Sequence, residues 1–248
     1  VIRITSTNGG VLRQSDDTTE KIANGFINIE NISGGSASDQ IFVVTGGADL
    51  TGNILGGDGN DTITIGTNQI GGIIDAGLGN DIINMNNGAR VSSSDVTGVV
   101  GLGGNDEFNL AGTVTANLAG DGGDDTFTLA TAGVLNGTIE GGGDAGDLID
   151  GGDTATLFRV LSTVDDGAND GTLEGRINSF TDVRNLRGGA GNDTFRFEST
   201  GSLDGTINGG GGMDTMVTSD TADAVILTGA DAGNSLINTV TTFFEAIG

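Results

Sequence analysis

One short pattern, a glycine-rich turn that closes on Asp and runs straight into an apolar strand, occurs eight times between residues 34 and 214. The clearest copy is Gly56-Gly57-Asp58-Gly59-Asn60-Asp61-Thr62-Ile63, and Gly188-Gly189-Ala190-Gly191-Asn192-Asp193-Thr194-Phe195 follows it closely. The closing aspartates are Asp39, Asp61, Asp81, Asp106, Asp125, Asp147, Asp193 and Asp214, at spacings of 22, 20, 25, 19, 22, 46 and 21 residues. Internal periods of this length mark solenoids, in which each repeat is buried only by its neighbours. The interval of 46 reads as two coils of 23. Between them lies a degraded turn, Asp165-Asp166-Gly167-Ala168-Asn169-Asp170.

Apolar residues keep register with the aspartates. Two residues after each come Ile41, Ile63, Ile83, Phe108, Phe127, Ile149, Phe195 and Met216. Seven residues before come Ile32, Ile54, Ile74, Val99, Leu118, Leu186 and Ile207, with Ile139 one residue further from Asp147. A third row comprises Leu50, Ile70, Val114 and Leu203. Alternation such as Thr62-Ile63-Thr64-Ile65 sends one side of each strand inward. The expected fold is all-β: a parallel β-solenoid (β-roll or β-helix) of about 20–22-residue coils with its glycine turns on one edge. Stacking at about 4.8 Å per coil builds a thin continuous core from few large side chains.

A longer recurrence overlies the coils. Ile2-Arg3-Ile4 and Phe26-Ile27-Asn28-Ile29-Glu30-Asn31-Ile32 return as Phe158-Arg159-Val160 and Phe180-Thr181-Asp182-Val183-Arg184-Asn185-Leu186. A third lead-in, Val225-Ile226-Leu227-Thr228, precedes Phe243-Phe244-Glu245-Ala246-Ile247-Gly248. Residues 1–248 therefore read as one continuous solenoid, with a first module over about 1–157 and the start of a repeated module over about 158–248. This layout suggests a piece of a longer array or a subunit that stacks end to end. The absence of a signal peptide at Val1 fits a mature protein or such a piece.

Composition narrows the chemistry. With no Cys or His there is no disulfide framework, thiolate or structural zinc site, and the commonest general base is missing. Absent proline suits parallel ladders, which need every backbone donor. No run of 18 apolar residues is available to insert into a membrane. Thirty-four acidic against nine basic residues leave a charge of −25, which opposes nucleic acid as a partner and makes compaction depend on counter-ions.

Glycine turns expose carbonyl oxygens and tolerate positive φ. Stacked, they offer carbonyls and one carboxylate per coil, a flexible oxygen cage that suits calcium better than magnesium. The candidate calcium ligands are the eight closing aspartates and the turn glycines Gly57, Gly59, Gly77, Gly79, Gly104, Gly123, Gly189, Gly191, Gly210 and Gly212. Eight divalent ions would bring −25 to −9.

The pattern resembles the GGxGxDxUx signature of RTX-type (repeats-in-toxin) calcium-binding β-solenoids, as in the repeat regions of large secreted bacterial surface proteins and adhesins. The resemblance covers nearly the whole chain. It implies several calcium ions between consecutive turns, an extracellular or cell-surface location, and folding after export. Ala37, Ala76, Leu102 and Asp121 depart from the motif glycines, and Ala145 with one inserted residue disturbs the Asp147 copy.

Other constellations point elsewhere. Arg159, Arg176, Arg184, Arg187 and Arg196 hold five of the nine basic charges. They read as local balance for Asp165, Asp166, Asp170 and Asp182, against a patch for anionic surface polysaccharide. Acid pairs such as Asp124/Asp125 recur along the chain instead of converging as glycosidase carboxylates do. Thr62, Thr126, Thr194 and Thr215 suggest an outward ladder of the kind that binds ice. The expected function is a non-enzymatic, calcium-stabilised structural solenoid of an extracellular surface protein, adhesin or filament. The alternatives are a carbohydrate- or ice-binding module, or the non-catalytic tail of a secreted enzyme. Besides calcium, the expected partners are flanking repeats of the chain or its own copies end to end.

Overall fold

The computed structural model describes residues 1–13, 25–43, 47–92, 98–161, 169–198 and 201–218, together with the backbone of 235–240. No helix occurs among them; the chain is a β-solenoid of stacked parallel coils. Two long sheets face each other. A thirteen-stranded front sheet takes the strand that enters each turn in the first module: Ile32–Gly35, Ile54–Asp58, Ile74–Leu78, Val99–Gly103, Leu118–Gly122 and Val134–Glu140. A ten-stranded back sheet takes the strand that leaves it: Gln40–Val43, Thr62–Ile65, Ile82–Asn86, Glu107–Ala111, Thr126–Leu129 and Leu148–Asp150.

Register follows the apolar rows. On the back sheet Ile41, Ile63, Ile83, Phe108, Phe127 and Ile149 pair successively, and all six are fully buried. On the front sheet Ile32, Ile54, Ile74, Val99, Leu118 and Ile139 do the same. The third row closes the core on the return side, where Leu50 bridges Ile70 and short strands pair Gln69–Ile70 with Arg90–Val91. Stacked rings, Phe108 on Phe127 at 4.7 Å and Phe158 on Phe195 at 5.0 Å, fill its widest parts; such pairs add about 1 kcal/mol each beyond area burial. Met216 and Ile207, in the last described coil, are only half-buried.

The interval of 46 residues is not two coils. After Leu148–Asp150 the chain enters the front sheet as Leu157–Leu161, reverses as Asp170–Leu173, and reverses again as Ile177–Thr181. This antiparallel meander inserts an extra half-circuit. Asn185–Gly189 then joins the back sheet beside Leu148–Asp150, and Thr194–Phe197 joins the front sheet beside Leu157–Leu161. Entering and leaving strands have exchanged sheets. The glycine turns therefore run on a first edge as far as Asp147 and on the opposite edge from Gly188 onward, where a single edge was expected. Residues 165–168 of the expected degraded turn lie outside the described residues, while Asp170 opens an antiparallel strand.

The same hairpin begins the chain. Ile2–Ser6 pairs antiparallel with Gly9–Leu12 and parallel with Gln40–Val43, as Leu157–Leu161 pairs with Asp170–Leu173 and Thr194–Phe197. The third lead-in, Val225–Thr228, and Phe243–Gly248 lie outside the described residues.

Candidate metal centre

Each turn places its Asp at the point where the chain bends from one sheet into the other. The glycines permit this for a steric reason that involves no ion. A Cβ on Gly57 would collide with the Gly35 carbonyl, one on Gly77 with that of Gly57, and one on Gly210 with that of Gly189. The next motif position repeats the stacking: Gly79 lies on the Gly59 carbonyl, Gly104 on Gly79, Gly123 on Gly104, and Gly212 on Gly191. Gly57, Gly59, Gly77, Gly79, Gly104, Gly123, Gly189, Gly210 and Gly212 all have positive φ, and Gly191 does not. Where Leu102 and Asp121 replace a glycine, they are held at φ 79° and 67°, a conformation disfavoured for L-residues. Several turn carbonyls are already engaged: Gly59, Gly79 and Gly104 donate N–H to the carbonyls of Leu78, Gly103 and Gly122.

The aspartates point inward. Asp61, Asp81, Asp106, Asp125, Asp147, Asp193 and Asp214 are each 0–2% exposed, and Asp39 is half-buried. One carboxylate oxygen continues the ladder. The N–H of Asp39 donates to Oδ1 of Asp61 and that of Asp61 to Asp81, each at 2.7 Å. The same link joins Asp81 to Asp106 (2.7 Å), Asp106 to Asp125 (2.9 Å) and Asp125 to Asp147 (3.0 Å).

The other oxygen, Oδ2, is buried and has no hydrogen-bond partner in all seven fully buried aspartates. At most turns it lies against the first glycine of its own turn, where a carbonyl of the next coil also arrives. Asp61 Oδ2 and the Ala76 carbonyl meet at Gly56, Asp125 Oδ2 and the Gly141 carbonyl at Gly120, and Asp193 Oδ2 and the Gly209 carbonyl at Gly188. Two lone-pair oxygens facing each other in a dry corner repel, and a buried charge without a partner is costly. A proton or a cation between them relieves both. Burial therefore holds six of these carboxyls, those of Asp61, Asp81, Asp106, Asp125, Asp147 and Asp193, above their usual range. Desolvation is the largest cause at Asp61, Asp81, Asp147 and Asp193. It pushes Asp106 up to about 6 and Asp125 to about 7, against the opposing pull of the backbone hydrogen bond.

This donor set fits a hard, oxygen-seeking cation such as calcium. Among the described residues no three acidic side chains converge on one point, so an ion would take one carboxylate per coil and complete its shell from carbonyls. The Ala76 copy differs, because its Cβ stands where the other turns offer bare Cα.

The second column begins without an acid. Gly151-Gly152-Asp153-Thr154-Ala155-Thr156 stacks directly on Gly188–Asp193: Ala190 N–H donates to the Gly152 carbonyl and Thr194 N–H to that of Thr156. Thr156 occupies the Asp position, and both its N–H and its hydroxyl donate to Asp193 Oδ1 at 2.8 Å. Asp193 N–H continues the ladder to Asp214 at 3.0 Å. The sequence reading missed this turn because its signature residue is absent, although Gly151-Gly152 was visible.

A second ladder, also missed, runs outside the first and in the opposite direction. Asn80 N–H donates to Asn60 Oδ1 (3.1 Å), Asn105 to Asn80 (2.9 Å), and Asp124 to Asn105 (3.0 Å). The recurrent Asn before the closing Asp was its signal.

Three of the five arginines have partners among the described residues, while Asp165 and Asp166 of the expected balance lie outside them. Arg159 pairs with Glu174 at 3.3 Å and Glu198 at 2.8 Å, and Arg187 with Asp150 at 3.3 Å. Arg176 is enclosed by oxygens: it donates to the carbonyls of Gly133 (2.8 Å), Ala130 (2.6 Å) and Gly151, and to the Thr154 hydroxyl (3.1 Å). Thr62 and Thr126 do not form a continuous Thr row, since Ile82 and Glu107 separate them in register. A shallow groove of about 460 Å³ beside Asn87, Gly112 and Ala132 contains no titratable side chain.

No protein-family model, curated protein or solved structure matches the chain. The fold and the column define a class, a β-solenoid with stacked internal carboxylates, and nothing narrower.

Proposed function

We propose that this chain is a non-enzymatic, calcium-stabilised structural solenoid of an extracellular bacterial surface protein, adhesin or filament. One observation carries the reading: seven buried carboxylate oxygens, stacked coil on coil, have no partner in the protein. Calcium bound along the column neutralises them and ties each coil to the next, so that order propagates along the axis. The ligands would be Asp61, Asp81, Asp106, Asp125, Asp147, Asp193 and Asp214, with Asp39 at the exposed end and glycine-turn carbonyls completing the shell. Three of the five arginines of the expected polysaccharide patch are already engaged within the chain, which favours a scaffold over a glycan-binding face. The broken Thr row argues in the same direction against ice.

A competing reading has a specific observation behind it: the raised carboxyls, led by Asp125 at about 7, are equally content to hold protons. Circular dichroism at pH 8 separates the two. Strand signal that develops with about millimolar calcium and disappears with chelator supports the ion-bound column. A full strand signal in chelator at pH 8 sinks it.

A further inference from the structure

Residues 26–31 and 180–185 are two copies of one element in two settings. Asn28 and Asp182 share the same positive φ, 57° and 54°. Ile29 N–H donates to the Asn8 carbonyl at 2.9 Å, and Val183 N–H to that of Asn169 at 3.1 Å. On the C-terminal side the two are also alike. Asn31 Oδ1 accepts from Asn53 N–H at 2.9 Å and Asn185 Oδ1 from Thr206 N–H at 3.1 Å, while Ile32 pairs with Ile54 and Leu186 with Ile207.

They differ on the N-terminal side. The internal copy is covered by the last coil of the first module. Val134–Glu140 pairs with Ile177–Thr181, Gly141 N–H donates to the Thr181 carbonyl at 2.9 Å, and Asn185 donates to the carbonyls of Asp147 and Ala145, both at 2.9 Å. Leu148–Asp150 pairs with Asn185–Gly189. Val183 is wholly buried there. In the first copy Ile27 is 75% and Ile29 43% exposed, and Ile32–Gly35 is the last strand of its sheet among the described residues.

We infer that Ile27, Ile29 and the free edge of Ile32–Gly35 form a docking face for the closing coil of a further module of this same solenoid. The occupant is an Asp-terminated glycine turn with its following short strand, seated as Gly141–Asp150 sits on Thr181–Gly189. The internal junction is the template, and continuity with it identifies the partner. Two isoleucines and an open strand edge provide apolar area and unpaired backbone groups, the two ingredients of strand addition. The inference rests on the scaffold reading above and names the contact by which such scaffolds lengthen.

The test places residues 98–156 ahead of the full chain, joined so that Val1-Ile2-Arg3 follows as Leu157-Phe158-Arg159 follows in the natural sequence. Hydrogen exchange is compared in the extended and the unmodified chain, in the same buffer. Residues 27–35 are expected to exchange at least about tenfold more slowly in the extended chain, approaching the protection of 183–189. Ile29→Asp in the extended chain is expected to abolish that gain and leave residues 54–65 protected. In the unmodified chain Val183→Asp should strip protection from both 134–150 and 181–189. Equal exchange of residues 27–35 in the two chains, whether or not the added coils are themselves protected, overturns the inference. Running the comparison with calcium and with chelator keeps it distinct from the metal reading, which the dichroism experiment judges separately.

Discussion

The backbone N–H of Asp125 donates to Oδ1 of Asp147 across 3.0 Å, while Oδ2 of Asp147 is buried without a partner. Half of each carboxylate is thus committed to stacking. The other half is buried with no hydrogen-bond partner among the described residues.

Replacing Asp125 with Asn separates these two halves. The amide oxygen keeps the ladder and the amide nitrogen can donate to the Gly141 carbonyl. In chelator at pH 8, where the wild-type chain is expected to lose its strand signal, Asp125→Asn is expected to lower the cost of metal-free folding by about 1–3 kcal/mol and so raise the residual strand signal, because a buried unpaired acceptor is removed. With calcium it should destabilise the chain relative to wild type and lower the number of ions bound by calorimetry. Identical shifts in both conditions would rule out an ion at this coil.

Proton linkage gives opposite pH trends with and without metal. Asp106 and Asp125 sit at about 6 and about 7 in the folded chain, above the ordinary value of 3.8. Asp125 is raised by desolvation first, then by Asp106, Asp147 and Asp144. The folded chain therefore binds more protons than the unfolded one between pH 4 and 7. Its metal-free stability is full below about pH 4 and falls as pH rises through 6 to 7. Calcium competes with those protons, so calcium-loaded protein should gain stability over the same interval. Melting temperatures from pH 4 to 8, with and without chelator, check both slopes.

Backbone strain predicts an asymmetry among turn residues. Leu102→Gly and Asp121→Gly relax positive φ and should each raise stability by about 1 kcal/mol. Gly57→Ala drives a Cβ into the Gly35 carbonyl and should cost about 1–3 kcal/mol. Thermal denaturation in saturating calcium measures all three.

Arg176 acts as a tethered cation among backbone oxygens at the half-circuit. Arg176→Ala removes the side-chain donor from the carbonyls of Gly133 and Gly151, while Ala130 keeps the Gly133 N–H, and should cost about 3 kcal/mol. Because the guanidinium is covalently supplied, the loss should be the same with calcium or chelator. A loss confined to calcium-containing buffer would contradict this role.

Introducing an acid into the second column tests whether one carboxylate per coil sets the ion count. Thr156→Asp faces Asp193, whose Oδ1 now accepts from both the Thr156 N–H and hydroxyl. Metal-free protein should be destabilised by about 1–3 kcal/mol through the added buried charge. Calcium calorimetry should register one more ion; an unchanged count would show that Asp alone does not define a site.

Much of this architecture was legible because solenoid coils are local. The turns, the rows at Ile63 and Ile54, and the coil length each follow from residues within one period. The change of edge was not legible. It depends on backbone pairing of Asp170–Leu173 with two other strands, and hydrogen bonds between peptide groups leave no side-chain signature. Thr156 escaped notice for a related reason: position in a stack, not residue type, gives it the role of an Asp. The inward aim of the carboxylates was likewise hidden, since a turn aspartate reads the same from sequence whether it faces water or its own glycine.

The shift of the carboxylate column from one margin of the rod to the other has a mechanical outcome. Swelling or shrinking a single charged margin would curl a thin beam, as heating curls a bimetal strip. Moving the charged margin part-way gives the two segments opposing bends, and the longer column, Asp39 to Asp147, is only partly offset by the shorter one, Thr156 to Asp214.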